Sequence, residues 1–268
     1  MPDHRWDDLP APVRRAIEGH TGPVQAAICA TTGSVSDVAA TLHTDNGPLF
    51  CKAIRTTSPM ARMHRTEARV NPWLPDTAPR LRWTVEEAGW LALGFDHVPG
   101  RHPDLSPGSS DLPLIADTLT VLSQRLTPCP PVKVQAATTR WEGRLHPDVI
   151  DGNTLAHTDV TPYNFLVGTR VHVIDWSMPC RGAPWIDTAL MIVRLIRARH
   201  TPAQAEAWAG QVPAWKQAPP ASLNAFAKAL ADLWAQRLRE NPTAPHRKPL
   251  ALAAHVWAIH RCGSRSPQ

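Results

Sequence analysis

The chain has 268 residues, 43% of them hydrophobic and 19% charged, with a formal net charge of +5. That composition describes an ordinary folded protein whose core needs no disulfide or metal staple, and it excludes a disordered or fibrous chain. No apolar run approaches the roughly 20 residues of a bilayer-spanning helix and no Lys/Arg run exceeds two residues, so neither a membrane nor a nucleic acid is the expected partner.

The start of the chain, Met1 to Pro10, is acidic rather than basic and then apolar, so no export signal is expected. Cys29, Cys51, Cys129, Cys180 and Cys262 are odd in number and never form a Cys-x-x-Cys pair. They are expected as reduced thiols of a cytoplasmic protein. Thirteen histidines without a His-x-x-x-His spacing predict no structural zinc site.

In chain order, Val24 to Thr31, Val35 to His43 and Pro48 to Ile54 are short β-prone segments, and Asp45-Asn46-Gly47 marks a hairpin turn between the last two. Helical propensity follows from Pro59 to Val70, then two further strands, Leu81 to Val85 and Trp90 to Phe95, joined through Glu86 to Gly89. After a Pro- and Ser-rich loop, Pro103 to Ser110, an apolar helix is expected from Leu112 to Leu126. The last third reads as four helices, Pro184 to Ala198, Pro202 to Ala209 with Thr201 as N-cap, Ser222 to Arg239, and Leu250 to Cys262. In the third of these, Leu223, Phe226, Leu230, Leu233 and Leu238 recur near 3.6 residues and predict a core-facing stripe.

The expected fold class is therefore α+β and bilobal, with an antiparallel sheet lobe carrying one helix ahead of a mainly helical lobe and a cleft between them. The boundary is placed so that residues 1–97 form the first lobe and 98–268 the second, with a hinge at about 96–100.

The chemistry concentrates in His157-Thr158-Asp159-Val160-Thr161-Pro162-Tyr163-Asn164-Phe165-Leu166-Val167, followed by Val171-His172-Val173-Ile174-Asp175-Trp176. Phosphoryl transfer needs a carboxylate beside the attacking hydroxyl, and oxygen ligands for a magnesium ion that bridges nucleotide phosphates. Asp159 suits the first role. Asn164, five residues later across a loop, and Asp175, at the end of a short strand, suit the second. The His-x-Asp-x-x-x-x-Asn spacing alone arises by chance about once in sixty chains of this composition, so the strand, the turn at Gly168 and the second strand carry much of the weight.

This stretch resembles the catalytic loop and metal-binding Asp of the aminoglycoside phosphotransferase and choline kinase family, which shares the protein-kinase-like fold. Thr158 stands where that family usually has glycine. The resemblance runs from about Val24 to about Leu190 and implies a phosphate-binding lysine on the third strand, with a glutamate on the following helix to fix it. Lys52 and Glu67 fit that pattern. By themselves they read equally well as an edge-strand lysine and a solvated helix glutamate.

The resemblance also implies a phosphate-cradling loop at Thr31 to Asp37, with Gly33, Ser34 and Ser36 as its candidates, and an adenine-pairing hinge at His97 and Val98. It further implies that Asp187 braces the catalytic loop from below.

The function expected from these residues is a small-molecule kinase that moves the γ-phosphate of ATP or GTP, with magnesium, onto a hydroxyl of a metabolite or antibiotic. The alternative is a nucleotide-binding pseudokinase acting as a regulatory module, against which the intact set of Lys52, Glu67, Asp159, Asn164 and Asp175 argues. A protein kinase fits less well, because Asp175-Trp176-Ser177 replaces Asp-Phe-Gly. From Trp176 to Gln268 there are four acids, Asp187, Glu206, Asp232 and Glu240, against twelve Lys/Arg, a net charge of +8. With Asp187 and Asp232 assigned to structure, Glu206 and Glu240 remain as free partners, and the expected acceptor is neutral or anionic rather than a polycationic aminoglycoside.

Overall fold

The computed structural model describes residues 5–30 and 35–263. It comprises two compact units, the first formed by Met1–Arg101 together with His172–Met178, the second by His102–Val171 together with Pro179–Gln268.

The first unit is built on a five-stranded antiparallel sheet with the order β1-β2-β3-β5-β4. Its strands are β1 (Ala26–Cys29), β2 (Val38–Thr44), β3 (Gly47–Arg55), β4 (Leu81–Glu87) and β5 (Trp90–Asp96). Asp45 and Asn46 form the β2–β3 turn, and Ala88 and Gly89, both at positive φ, form the β4–β5 turn that suits the right-handed twist of a hairpin. Gly94 is required by packing. The Trp83 indole lies over it so closely that a Cβ there would sit 2.0 Å from the ring.

The two-residue period of β3 sorts its side chains between two cores. Cys51 and Ala53 point into one, with Val38, Ala40 and Leu42 of β2, Trp83 and Val85 of β4, and Val13 and Ile17 of a helix α1 (Ala11–Thr21). Phe50 and Ile54 pack in the other, with Leu91, Leu93 and Phe95 of β5 and with Ala61 and Ala68 of helix α2 (Ala61–Val70). Lys52 has the parity of Phe50 and Ile54, and so lies on the α2 side. Burial of Cys51 among apolar neighbours pushes its thiol up to about 12.

Helix α1 is an addition to the one helix expected in this region. Its markers are Pro10 and Pro12 at the N-terminus, Val13 and Ile17 four residues apart, and Gly22 at φ +77 as a C-terminal stop.

The second unit contains helices α3 (Asp111–Arg125), α4 (Ala137–Arg140), α5 (Pro147–Ile150), α6 (Ile186–Arg197), α7 (Pro202–Ala209), α8 (Pro213–Lys216), α9 (Pro220–Glu240) and α10 (Arg247–Gly263). Strand β6 (Gln135–Ala136) runs parallel to β10 (Cys180–Gly182), which pairs on its other side with β7 (Thr154–Ala156) in antiparallel fashion. Two further short strands, β8 (Phe165–Val167) and β9 (Val171–Val173), follow the catalytic-loop segment.

Helix α10 packs on α9 and α6. Of the predicted stripe of α9, Leu223, Phe226 and Leu230 are buried and Leu233 and Leu238 are half-buried, and Phe226 meets Trp141 and Trp185 at ring distances of 5.0 and 5.2 Å. Thr201 caps α7 by accepting from Gln204 N, and Gln204 returns the bond to Thr201 N, a capping box. All five cysteines are free thiols, and among the described residues no helix is long and apolar enough to cross a membrane.

Candidate active site

Within the first unit, β3 and α2 bring Lys52 and Glu67 together. Lys52 Nζ lies 3.0 Å from both Glu67 carboxylate oxygens and 3.1 Å from Asp175 Oδ1, a residue 123 positions later that belongs to the same unit. Glu67 is 4% exposed, so the water-facing helix glutamate is ruled out. Lys52 likewise lies on a strand flanked by β2 and β5, and its edge-strand reading fails.

Burial alone would lower the Lys52 pKa, but the charges of Asp175 and Glu67 outweigh it and hold the ammonium above its ordinary value. Burial pushes the Glu67 carboxyl upward, against the pull of Lys52.

Asp175 sits at φ 62, a left-handed conformation that Asp tolerates better than most residues. Trp176 beside it is buried, with its indole N–H donating to Val173 O at 3.0 Å, which fixes the backbone that carries Asp175. Among the described residues no group of three or more His, Cys, Asp or Glu side chains is arranged to hold a metal. Magnesium typically takes only one or two protein oxygens and keeps water and phosphate for the rest, so it needs no such group.

The same unit holds a residue that the sequence reading passed over. His64 of α2 is 2% exposed, and its Nε2 lies 3.0 Å from Ser36 Oγ. Burial first, then the Lys52 charge, push its pKa down to about 4. Gly33 and Ser34 of the expected phosphate loop lie outside the described residues. His97 and Val98 form an irregular segment after β5, where burial and His43 lower the His97 pKa.

In the second unit, the catalytic-loop segment is held from two sides. Asp187, in the first turn of α6, accepts from His157 N and Thr158 N, each at 2.8 Å, the bracing role that the resemblance implied. Its carboxyl is buried, and that burial raises its pKa against the opposing influence of His157 and the two N–H groups. Asn164 Nδ2 donates to Asp159 O at 2.8 Å and to Asp159 Oδ2 at 3.1 Å. With its amide nitrogen turned to Asp159, Asn164 keeps its hard amide oxygen for another partner, which fits a magnesium ligand.

Thr158 is at φ 62, a conformation that costs a β-branched residue about 1–3 kcal/mol. Its hydroxyl accepts from Arg140 at 2.6 Å, a tie that glycine could not make. Arg194 of α6 donates through Nε to Val160 O at 2.9 Å, beside Asp159. Arg140 gave no sequence signal, whereas Arg194 did: it is a lone charge inside the apolar run Ala189 to Ile196.

Both acids expected as free partners have protein donors, and Glu240 accepts from Gln236 Nε2 at 2.7 Å. Glu206 is not a free partner, since it accepts from Trp257 Nε1 at 2.7 Å and Arg261 Nε at 2.8 Å.

No family model matches the sequence, and neither does any curated protein. Solved structures do match in fold. The aminoglycoside phosphotransferase APH(4)-Ia, as a thermostable mutant in ternary complex with AMP-PNP and hygromycin B, aligns with a TM-score of 0.59 over 95% of this chain and 99% of its own, at 14% identity. Unmutated APH(4)-Ia aligns with a TM-score of 0.60 over 95% and 99%, at 13% identity. LicA in complex with AMP aligns with a TM-score of 0.60 over 93% and 97%, at 12% identity. The chain thus has the protein-kinase-like fold of the aminoglycoside phosphotransferases.

Proposed function

We propose that this protein is a small-molecule kinase that transfers the γ-phosphate of ATP or GTP to a hydroxyl of a metabolite or antibiotic. The observation that carries the reading is the Lys52 ammonium, buried and held by Glu67 and Asp175. A lysine fixed on a strand between two carboxylates, one of them partly exposed, is the arrangement that phosphoryl transfer uses to steady nucleotide phosphates. The fold shared with APH(4)-Ia, crystallised with AMP-PNP, supports a nucleotide as donor.

In this reading Lys52 neutralises phosphate oxygens, and Glu67 keeps it in place. Asp159 orients the acceptor hydroxyl and takes its proton as the new bond from that oxygen to the γ-phosphorus forms. The bond from the γ-phosphorus to the bridging oxygen breaks, and the nucleoside diphosphate departs. Asn164 and Asp175 are the candidate ligands for magnesium, which supplies neutralisation of phosphate charge when bound.

The test is Asp159→Asn, measured by isothermal titration with a magnesium nucleotide alongside a turnover assay over a panel of hydroxylated compounds. Turnover is expected to fall by about 10²–10⁴ with nucleotide affinity retained. Turnover near the unmutated level would remove Asp159 from the mechanism. Absence of any thermal stabilisation by magnesium nucleotide would remove the kinase reading itself.

A further inference from the structure

The charge around Asp159 is out of balance. Arg140 and Arg194 are tied to its two chain neighbours, Thr158 and Val160. Arg194 and Arg237 both lie over the ring of buried Trp234, at 5.6 and 5.0 Å, which brings α6 and α9 guanidiniums to one place. Arg247 donates to the carbonyl of Arg237 itself. The charges acting on Arg237 are, in order of strength, those of Arg140 and Arg247, then the opposing carboxylate of Asp159, then Arg144. Arg194 likewise feels Arg197 and Arg237 against Asp159.

The consequence shows in their acidities. Arg194 is pushed down to about 10, by burial first and then by Arg197 and Arg237, while Asp159 opposes the shift. Arg237 is lowered in the same way, by loss of hydration and then by its neighbouring arginines.

Of the other cations, Arg140, Arg144, Arg194 and Arg247 have protein acceptors, while Arg197 is an exposed residue at the end of α6. Arg194 uses Nε on Val160 O, Arg140 uses Nη1 on the Thr158 hydroxyl, and Arg144 donates to Gln236 at 2.5 Å. Among the described residues the Arg237 guanidinium donates no hydrogen bond, and it is solvent-accessible. Glu206 is held by Arg261 and Trp257, Glu240 accepts from the neutral Gln236, and neither is among the main charges acting on Arg194 or Arg237.

A rigid planar fork backed by an aromatic ring, set among uncompensated guanidiniums, is how proteins receive a phosphate or carboxylate, and it repels a polycation. We propose that the acceptor carries an oxyanion, a phosphate or a carboxylate, and that Arg237 receives it within the cluster of Arg140, Arg194 and Arg247 around Asp159. This rests on the kinase reading of Asp159, and it names the substrate class that the reading left open.

The experiment is thermal unfolding of the full chain saturated with magnesium AMP-PNP, so that nucleotide phosphate subsites are filled. Inorganic phosphate and malonate are titrated against chloride at matched ionic strength. A saturable rise of about 3–5 °C is expected for the unmutated protein. Most of it should be lost in Arg237→Gln, part regained in Arg237→Lys, and all kept in Arg239→Gln, which removes one exposed charge from the same helix. A response to phosphate alone identifies the acceptor as a phosphate ester, and a response to malonate as a carboxylic acid.

An equal rise in Arg237→Gln, or no anion-specific rise in the unmutated protein, overturns the proposal, as does efficient phosphorylation of kanamycin. Stabilisation by AMP-PNP without any by the two anions rejects this inference and leaves the kinase reading standing. Failure of AMP-PNP to stabilise the protein rejects the kinase reading.

Discussion

In the first unit a single cation, Lys52, faces two carboxylates, Glu67 and Asp175. In the second a single carboxylate, Asp159, lies among several guanidiniums. The two groups differ in what they can do before a ligand arrives. Lys52 is already neutralised and fixed within its own unit, so its position is part of the folded state. The arginines around Asp159 repel one another, and that repulsion is relieved only when further negative charge joins them.

Removing a partner from the braced groups should therefore cost stability, whereas changes at the arginines should appear mainly in ligand response. The largest effect is expected for Asp187→Ala, which leaves the buried N–H of His157 and the part-buried N–H of Thr158 without their acceptor. At about 1–3 kcal/mol each, a loss of about 4 kcal/mol is expected in urea unfolding. Turnover should fall with it, because the Asp159 loop loses its support. An unchanged unfolding midpoint would mean that α6 does not brace the loop.

Glu67→Ala comes next. Breaking a buried ion pair destabilises by about 3–5 kcal/mol. The lower end is expected here because Asp175 stays beside Lys52. In a thermal scan about 3 kcal/mol corresponds to a midpoint lowered by roughly 6–12 °C. A loss below about 1 kcal/mol would make the ion pair equivalent to an exposed one and erase the contrast between the units.

The third prediction uses His64, whose folded pKa of about 4 lies below the roughly 6.5 of an unfolded histidine. The unfolded chain takes up this proton first as the pH falls. The His64 contribution is therefore complete above pH 6.5 and is lost between about 6.5 and 4, by about 3 kcal/mol in all. Urea unfolding across that window should show the decline, and His64→Gln should flatten it. Lys52→Met should shift the decline to lower amplitude, since the lysine charge is one cause of the depression.

The smallest effect is expected for Thr158→Val. Valine keeps the shape and the strained φ but removes the hydroxyl that accepts from Arg140. A loss of about 1 kcal/mol is expected. Arg140 would also gain freedom, so KM for an anionic acceptor should rise more than kcat falls. A change in kcat alone would assign Thr158 to the loop and not to the cluster.

Much of the site was legible because its residues are close in sequence or lie on regular elements. Asp159 and Asn164 share one loop, and five residues of separation are enough to bring the amide to the carboxylate. Lys52 and Glu67 were visible as a charge on an apolar strand and a charge on the following helix, although their meeting depends on strand parity and helix phase together. Helix α1 was not expected, although Pro10 and Pro12 at its start are favourable in the first turn of a helix. His64 escaped because nothing in its neighbours along the chain tells that it will be buried beside Ser36.

By itself the sequence determined the five strands of the first unit and the long helices, the hairpin turns, the Thr201 cap and the composition of the Asp159 loop. Each rests on interactions within a few residues, where backbone preference and periodicity act directly. Only the tertiary structure decided that Asp175 joins Lys52 across 123 positions, that Glu206 is consumed by Arg261, and that α6 and α9 gather Arg194 and Arg237 over one indole. Those pairings are long-range, and a charge carries no label of its partner. Which acid meets which base is set by the packing of apolar faces, which brings side chains together after periodicity has already spent its information.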